Sequence, residues 1–264
     1  PVWQDKNETA SRLRGRIERV LEYAKVKGWR FGENPAAWRG NLRNLLPKRK
    51  KLQRGHQPAM AYVEVPALMA RLRASEAMAA RALEFTILTA ARSGETIGAK
   101  WSEIDFERGI WTVPAKRMKG GEIHVVALSA VAIALLTSLQ EVRTGDFIFA
   151  GEPRPGNKQD AKHGRPLSNM AMIMLLRRMK LMDVTVHGFR SALRDWAGDE
   201  TNFPREIAEA ALAHKVGNEV ERAYRRSDAL EKRRKLMQAW GEYLSSAKVA
   251  NVSKLSDARK ALSS

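Results

Sequence analysis

Between residues 109 and 128 the chain changes period. "GIWTVPA" (109–115) and "EIHVVAL" (122–128) are alternating, β-branched runs separated by "KRMKGG", which reads as a hairpin. On both sides the apolar residues return to helical spacing, in stretches at about 64–74, 76–90, 94–101, 129–142, 168–181, 188–199, 204–213, 218–225 and 228–246. One hairpin among so many helices limits the fold class to mainly α with a small antiparallel sheet (α+β). "DFIFA" at 146–150 is a candidate third strand, and "GEPRPGNKQDAKHGRP" at 151–166 reads as a mobile loop. There is no internal repeat.

The first 57 residues read differently. "TASRLRGRIERVLEYAKVKG" (9–28) places Leu13, Ile17, Val20, Leu21 and Ala24 on one helical face, with Thr9 as N-cap and Gly28 as C-cap. The other face is basic, with too many arginines for a surface of i,i+4 salt bridges. "NPAAW" turns into a second short helix ending near Leu46, and "PKRKKLQRGHQP" (47–58) reads as a basic linker. The expected organisation is a helical unit at 1–47, a linker at 48–58, a larger domain at 59–246 and a tail at 247–264.

Charge narrows the partner. Lys+Arg 47 against Asp+Glu 29 gives a net charge of +18, and residues 1–57 alone hold 15 Lys/Arg against 5 Asp/Glu. Such an excess points to a polyanion. With no apolar run long enough for a membrane span and no signal peptide, nucleic acid is favoured over a membrane surface. The absence of cysteine excludes disulfides, thiolate metal sites and cysteine nucleophiles. The five histidines (His56, His124, His163, His187, His214) have no metal-ligand spacing, so no metal and no cofactor are expected.

Four separated features carry possible chemistry. In "LTAARSGETIGAKW" (88–101) Arg92 precedes a helix that carries Glu95; the two form either a structural ion pair or a phosphate clamp with its orienting carboxylate. Lys119 stands in the hairpin connection, solvated or reaching into a groove as a proton donor. "VTVHGFRSALRDWA" (184–197) puts His187 and Arg190 at a helix start, as a cap and an ion pair with Asp195, or as a basic pair awaiting an anion. "EAALAHKVGNEVERAYRRSD" (209–228) carries His214 and then Tyr224 among Arg222, Arg225 and Arg226.

In this order the boxes resemble the tyrosine recombinases, especially integrases of temperate phages and genomic islands. "TAARSGE" is similar to the first arginine box, "PAKRMKGGEIHVVALS" to the lysine hairpin, "HGFRSALRDWA" to the His-x-x-Arg box and "LAHKVGNEVERAYRRSD" to the final His…Tyr box. "ENPAAWRGNLRNLLPKR" is similar to the end of the DNA-clamping domain of island integrases. Ala127 departs from the proline many relatives carry, Gly120-Gly121 loosens the hairpin, and the start of the clamp domain and the small arm-binding domain are not found.

The resemblance implies a catalytic domain preceded by a partial core-binding domain. It implies Tyr224 as nucleophile, Arg92, Arg190 and His214 as the oxyanion clamp, His187 as base, Lys119 as acid and Glu95 as orienting carboxylate. Arg14, Arg16, Lys48, Arg49, Lys50 and Lys51 would contact DNA phosphates. It further implies double-stranded attachment sites, a homotetramer on DNA joined through the tail, accessory DNA-bending and excision factors, and a cytoplasmic, nucleoid-associated protein. A non-catalytic DNA-binding regulator, a type IB topoisomerase or telomere resolvase, and a structural chromatin-type protein are the alternatives.

Overall fold

A computed structural model describes residues 2–47, 59–214 and 229–246, and the chain divides into two units, Pro1–Gly55 and His56–Ser264. Residues 48–58, 215–228 and 247–264, which hold the linker, Tyr224 and the tail, lie outside the described residues.

In the first unit a short helix α1 (Val2–Asp5) leads into α2 (Asn7–Val26). The helix thus starts before Thr9, and Asn7 reaches back to the Trp3 carbonyl at 3.0 Å. Gly28 adopts φ +71 just past the helix end, the left-handed geometry that glycine enters without strain. The chain then returns along α2 through a polar network. Asn34 donates to Glu18 O, Glu18 accepts from the Trp38 N–H, and Arg14 pairs with Glu18 at 2.6 Å and stacks on Trp38. The short helix expected to end near Leu46 shrinks to α3 (Arg43–Leu45), because Gly40 at φ +74 breaks the preceding turn. The apolar stripe of α2 is not a core face among the described residues: Leu13 is 52% and Val20 66% exposed. Two i,i+4 pairs, Glu8–Arg12 and Arg14–Glu18, form on the basic helix despite its charge excess.

The second unit is built around one helix. It comprises α4 (Val65–Arg73), α5 (Met78–Thr89), α6 (Ser93–Ile97), α7 (Ala130–Glu141), α8 (Lys158–His163), α9 (Ala171–Arg178), α10 (Gly188–Glu200), α11 (Arg205–Ala211) and α12 (Leu230–Ser245). Nearly every residue of α5 is buried, so it is apolar all round and the others pack on it. Its buried hydroxyls and carboxylate are partnered: Thr86 and Thr89 bond to carbonyls of their own helix, and Glu84 takes Arg73 and Arg81. Trp240 of α12 donates to Ile87 O at 2.9 Å and stacks with Tyr243.

The hairpin forms as β2 (Ile110–Val113) and β3 (His124–Ala127), after β1 (Ile104–Asp105), in an antiparallel sheet of order β1-β2-β3 with Val113 opposite His124. The third strand is therefore β1 and not 146–150, from which only Phe147 bridges to Lys100. Residues at the end of that run instead form β4 (Ala150–Gly151), paired with β5 (Arg165–Pro166).

The segment 151–166 is ordered, contrary to the loop expectation. Asn157 caps α8 by accepting from Gln159 N and Asp160 N, and the 5%-exposed Asp160 takes three bonds from Arg154. A gapped polar sequence hid a capped helix held by one buried carboxylate. The helix begun at Ser93 stops at Ile97 with Gly98 as its C-cap, where a side chain would come within 2.9 Å of Arg117 Nη1. Arg117 also binds Glu103, which accepts from Trp111 Nε1, and so ties the base of the hairpin to the sheet.

Candidate active site

Three helix ends meet beneath the hairpin. Helix α5 ends in Ala90, a left-handed C-cap at φ +50, and two residues later Arg92 is the N-cap of α6. Helix α11 ends at Leu212, followed by Ala213 at φ +49 and His214. Helix α10 begins beside both and supplies Arg190 from its first turn. A helix C-terminus leaves carbonyls unpaired and carries partial negative charge. Arg190, only 4% exposed, answers both ends: Nη1 donates to Ala90 O and Nη2 to Leu212 O. Its position therefore follows from two helix ends, one of them 100 residues back along the chain, and Asp195 pairs with Arg194 instead.

Each outer cation has a carboxylate behind it. Glu95, 3% exposed, accepts from the Arg92 N–H at 2.9 Å and from Arg92 Nη1 at 2.8 Å, while the arginine side chain stays partly exposed. The structural ion pair expected for these two residues is formed, and it leaves the guanidinium partly exposed. Glu209, buried on α11, meets His214 Nδ1 at 2.6 Å. This fixes the proton on Nδ1 in the neutral ring and turns Nε2 toward Arg190 Nη2, 3.1 Å away. Glu209 was not picked out in the sequence; its only signal was a carboxylate five residues before His214.

His187 is the N-cap of α10, but its ring makes no capping bond; Thr185 Oγ1 accepts the Gly188 N–H instead. Partial desolvation, then the charges of Arg190, Arg92, His214 and Lys119, hold its pKa below the usual value. Those four sources show that Lys119, on the connection between β2 and β3, shares the electrostatic field of the helix-end cluster. Burial and Arg92 likewise bring Arg190 down to about 10.

The structure thus brings together Arg92, Glu95, Lys119, His187, Arg190 and His214, while Tyr224 lies outside the described residues. Of the other candidate DNA contacts, Arg14 is occupied by Glu18, the Ala36 carbonyl and Trp38, Arg16 is exposed, and Lys48, Arg49, Lys50 and Lys51 are again outside the described residues. Among the described residues no cluster of three or more carboxylates and imidazoles has a metal-holding arrangement, and no helix is long and apolar enough to cross a membrane.

A family model described as the phage integrase family matches residues 59–231, and one for the phage integrase central domain matches residues 1–41. The chain belongs to the phage integrase family. The prophage integrase IntA of Escherichia coli (strain K12) is 36% identical over 244 residues, covering 91% of this chain and 55% of that relative. The integrase of Enterobacteria phage P4 is 32% identical over 259 residues, covering 90% of this chain and 55% of the relative. This phage integrase chain therefore spans little more than half the length of those relatives. A lambda integrase tetramer solved on a Holliday junction shares the fold, with a TM-score of 0.56 at 18% identity over 83% of this chain and 62% of that one. The mainly helical architecture with a small antiparallel sheet is that of its family.

Proposed function

We propose that this integrase-family chain cuts and rejoins double-stranded DNA as a site-specific recombinase through a 3′-phosphotyrosine at Tyr224, integrating or excising a mobile element. The observation that carries this is the convergence of Arg92, Arg190, His187, His214 and Lys119 on one partly exposed surface, with Glu95 and Glu209 behind it. That surface has more positive charge than its carboxylates balance, and its donors other than Lys119 are positioned at helix ends.

The Tyr224 hydroxyl oxygen attacks phosphorus and its proton passes to His187, whose lowered basicity keeps it unprotonated and able to accept near neutral pH. The bond from phosphorus to the 5′-oxygen breaks, and Lys119 gives that oxygen a proton. Negative charge grows on the non-bridging oxygens, where Arg92 and Arg190 donate and His214, as an imidazolium with Nδ1–H on Glu209, adds its Nε2–H; one such preorganised donor is worth about 3–4 kcal/mol. The phosphodiester energy stays in the adduct, and reversal by another 5′-hydroxyl rejoins the strand. Arg16 and the linker lysines would hold the backbone and set salt dependence. The lambda integrase solved as a tetramer on a Holliday junction supports a four-protomer complex on DNA; attachment sites, accessory bending and excision factors and a place at the nucleoid belong to the proposal as its wider setting.

The test is a nicked duplex carrying the element's own junction, incubated with the protein and run on a denaturing gel. A covalent adduct that Tyr224→Phe abolishes while retaining DNA binding is the expected result. Binding without an adduct would leave a non-catalytic regulator, and relaxation of arbitrary supercoiled plasmid would move the assignment to a topoisomerase.

A further inference from the structure

Lys119 is exposed, yet the chain around it is tightly folded. Ala115–Arg117 form a 3-10 turn in which the Arg117 and Met118 N–H groups donate to the Pro114 and Ala115 carbonyls, each at 3.0 Å. A second turn follows at once, closed by the Gly121 N–H on the Met118 carbonyl at 3.1 Å, with Gly121 at φ +71. Lys119 stands in this second turn, so whatever holds Arg117 and Met118 sets where its ammonium is delivered. Met118 packs against the core.

Arg117 is held by charge. Its Nη2 donates to Oε2 of Glu103, and the same oxygen accepts from Trp111 Nε1 of β2 at 3.1 Å and from the Lys100 N–H at 3.2 Å. The guanidinium also lies over Gly98, where an added Cβ would come within 2.9 Å of Nη1 and 3.0 Å of Cδ. Gly98 is the C-cap of α6, and Arg92 is the N-cap of that same five-residue helix. Arg92 and the residue beneath Arg117 are therefore two ends of one stiff piece, about 9 Å long at 1.5 Å per residue. Among the described residues, Nε and Nη1 of Arg117 are buried with no hydrogen-bond partner. Unpaired buried donors cost free energy, and apolar side chains of similar size often replace a buried ion pair without loss of stability. Packing alone would be better served by an apolar residue, so the guanidinium has another use.

We propose that Arg117 and Glu103 are positioning residues that set Lys119 at a fixed distance from the phosphate clamp, with α6 as the spacer between Arg92 at one end and Arg117 on Gly98 at the other. Neither residue touches the reacting atoms; both act through the placement of Lys119. This rests on Lys119 being the acid for the departing 5′-oxygen.

The experiment compares two nicked duplexes, one with the natural 5′-oxygen at the scissile phosphate and one with a bridging 5′-sulfur. A thiolate leaves without needing a proton, so loss or misplacement of the acid harms only the oxygen substrate. Arg117→Met is expected to slow adduct formation about 100-fold on oxygen, the scale of a misplaced catalytic group, and to stay within about threefold of wild type on sulfur. Arg117→Lys, which keeps a cation for Glu103, should recover part of the oxygen rate. Gly98→Ala keeps both charges but pushes on the guanidinium, and should give a smaller loss of the same kind. Arg117→Met combined with Glu103→Gln removes the unpaired carboxylate that a single change leaves behind; it should melt near wild type and still fail on oxygen. Equal losses on both substrates would make the pair ordinary support for the fold and overturn the proposal. So would unchanged rates on both, or an oxygen rate that returns with stability in the double variant. Wild type and Lys119→Ala separate the two levels. An absent wild-type adduct, or a Lys119→Ala variant that sulfur does not rescue, refutes the assigned chemistry itself.

Discussion

Replacing Glu209 by glutamine keeps the size of the side chain and removes its charge behind His214. The carboxylate lies 2.6 Å from Nδ1 and is buried, so solvent screens the interaction little. A hydrogen bond to a charged group contributes about 1.5–3 kcal/mol and a neutral one about 1, which leaves a difference of roughly 1–2 kcal/mol for Glu209→Gln. If the whole difference is felt at the transition state, when His214 must donate to a phosphoryl oxygen, cleavage slows about 5- to 30-fold. The glutamine can also present its amide N–H to Nδ1, which reverses the ring tautomer and breaks the contact from Arg190 to Nε2. Single-turnover adduct formation on the nicked duplex measures the loss, with thermal denaturation and DNA affinity as companions. A Glu209→Gln variant that cleaves at the wild-type rate would refute the role given to the carboxylate. So would a loss that vanishes once the fraction of folded protein is corrected for.

Arg190→Lys should abolish the adduct and cost about 1–3 kcal/mol of stability, because one ammonium cannot serve two helix ends and leaves a buried carbonyl unpaired; adduct yield and denaturant melting report both effects. The lowered pKa of His187 means that the native state holds fewer protons than the unfolded chain below the ordinary value of 6.5. Stability therefore falls as pH drops through that value, and DNA, whose phosphate favours the charged ring, opposes the fall. His124 contributes a slope of the same sign, so the difference between wild type and His187→Gln in melting curves from pH 5 to 8 isolates the His187 share. Asp160→Ala removes the three bonds from Arg154 and should open the 151–166 segment to limited proteolysis while leaving cleavage of the nicked duplex unchanged.

The legible parts of the site were those that lie next to each other in the chain. Arg92 and Glu95 are three apart across a helix start, and their pairing is a local capping arrangement. The hairpin around Lys119 announced itself through alternation at 110–113 and 124–127. The errors share a cause. The run at 146–150 has strand composition but is spent on one bridge, Phe147 to Lys100, and on Ala150 in β4, and the helix inside 151–166 depends on a cap and a buried ion pair that no periodicity marks. On α2 the apolar spacing was read correctly as helical, but spacing does not say whether a partner covers the face.

The sequence by itself determined which segments are helices, where the period changes and in what order the reactive groups occur, because each of these depends on neighbours within a few residues. Tertiary structure decided what those groups do. Arg190 grips Ala90 and Leu212, and Glu209 sets the tautomer of His214, through contacts spanning from five to a hundred residues. Such bonds form only where the packing of α5, α10 and α11 brings unpaired helix-end carbonyls together in a water-poor place, where leaving them unsatisfied costs more than burying the charge that meets them.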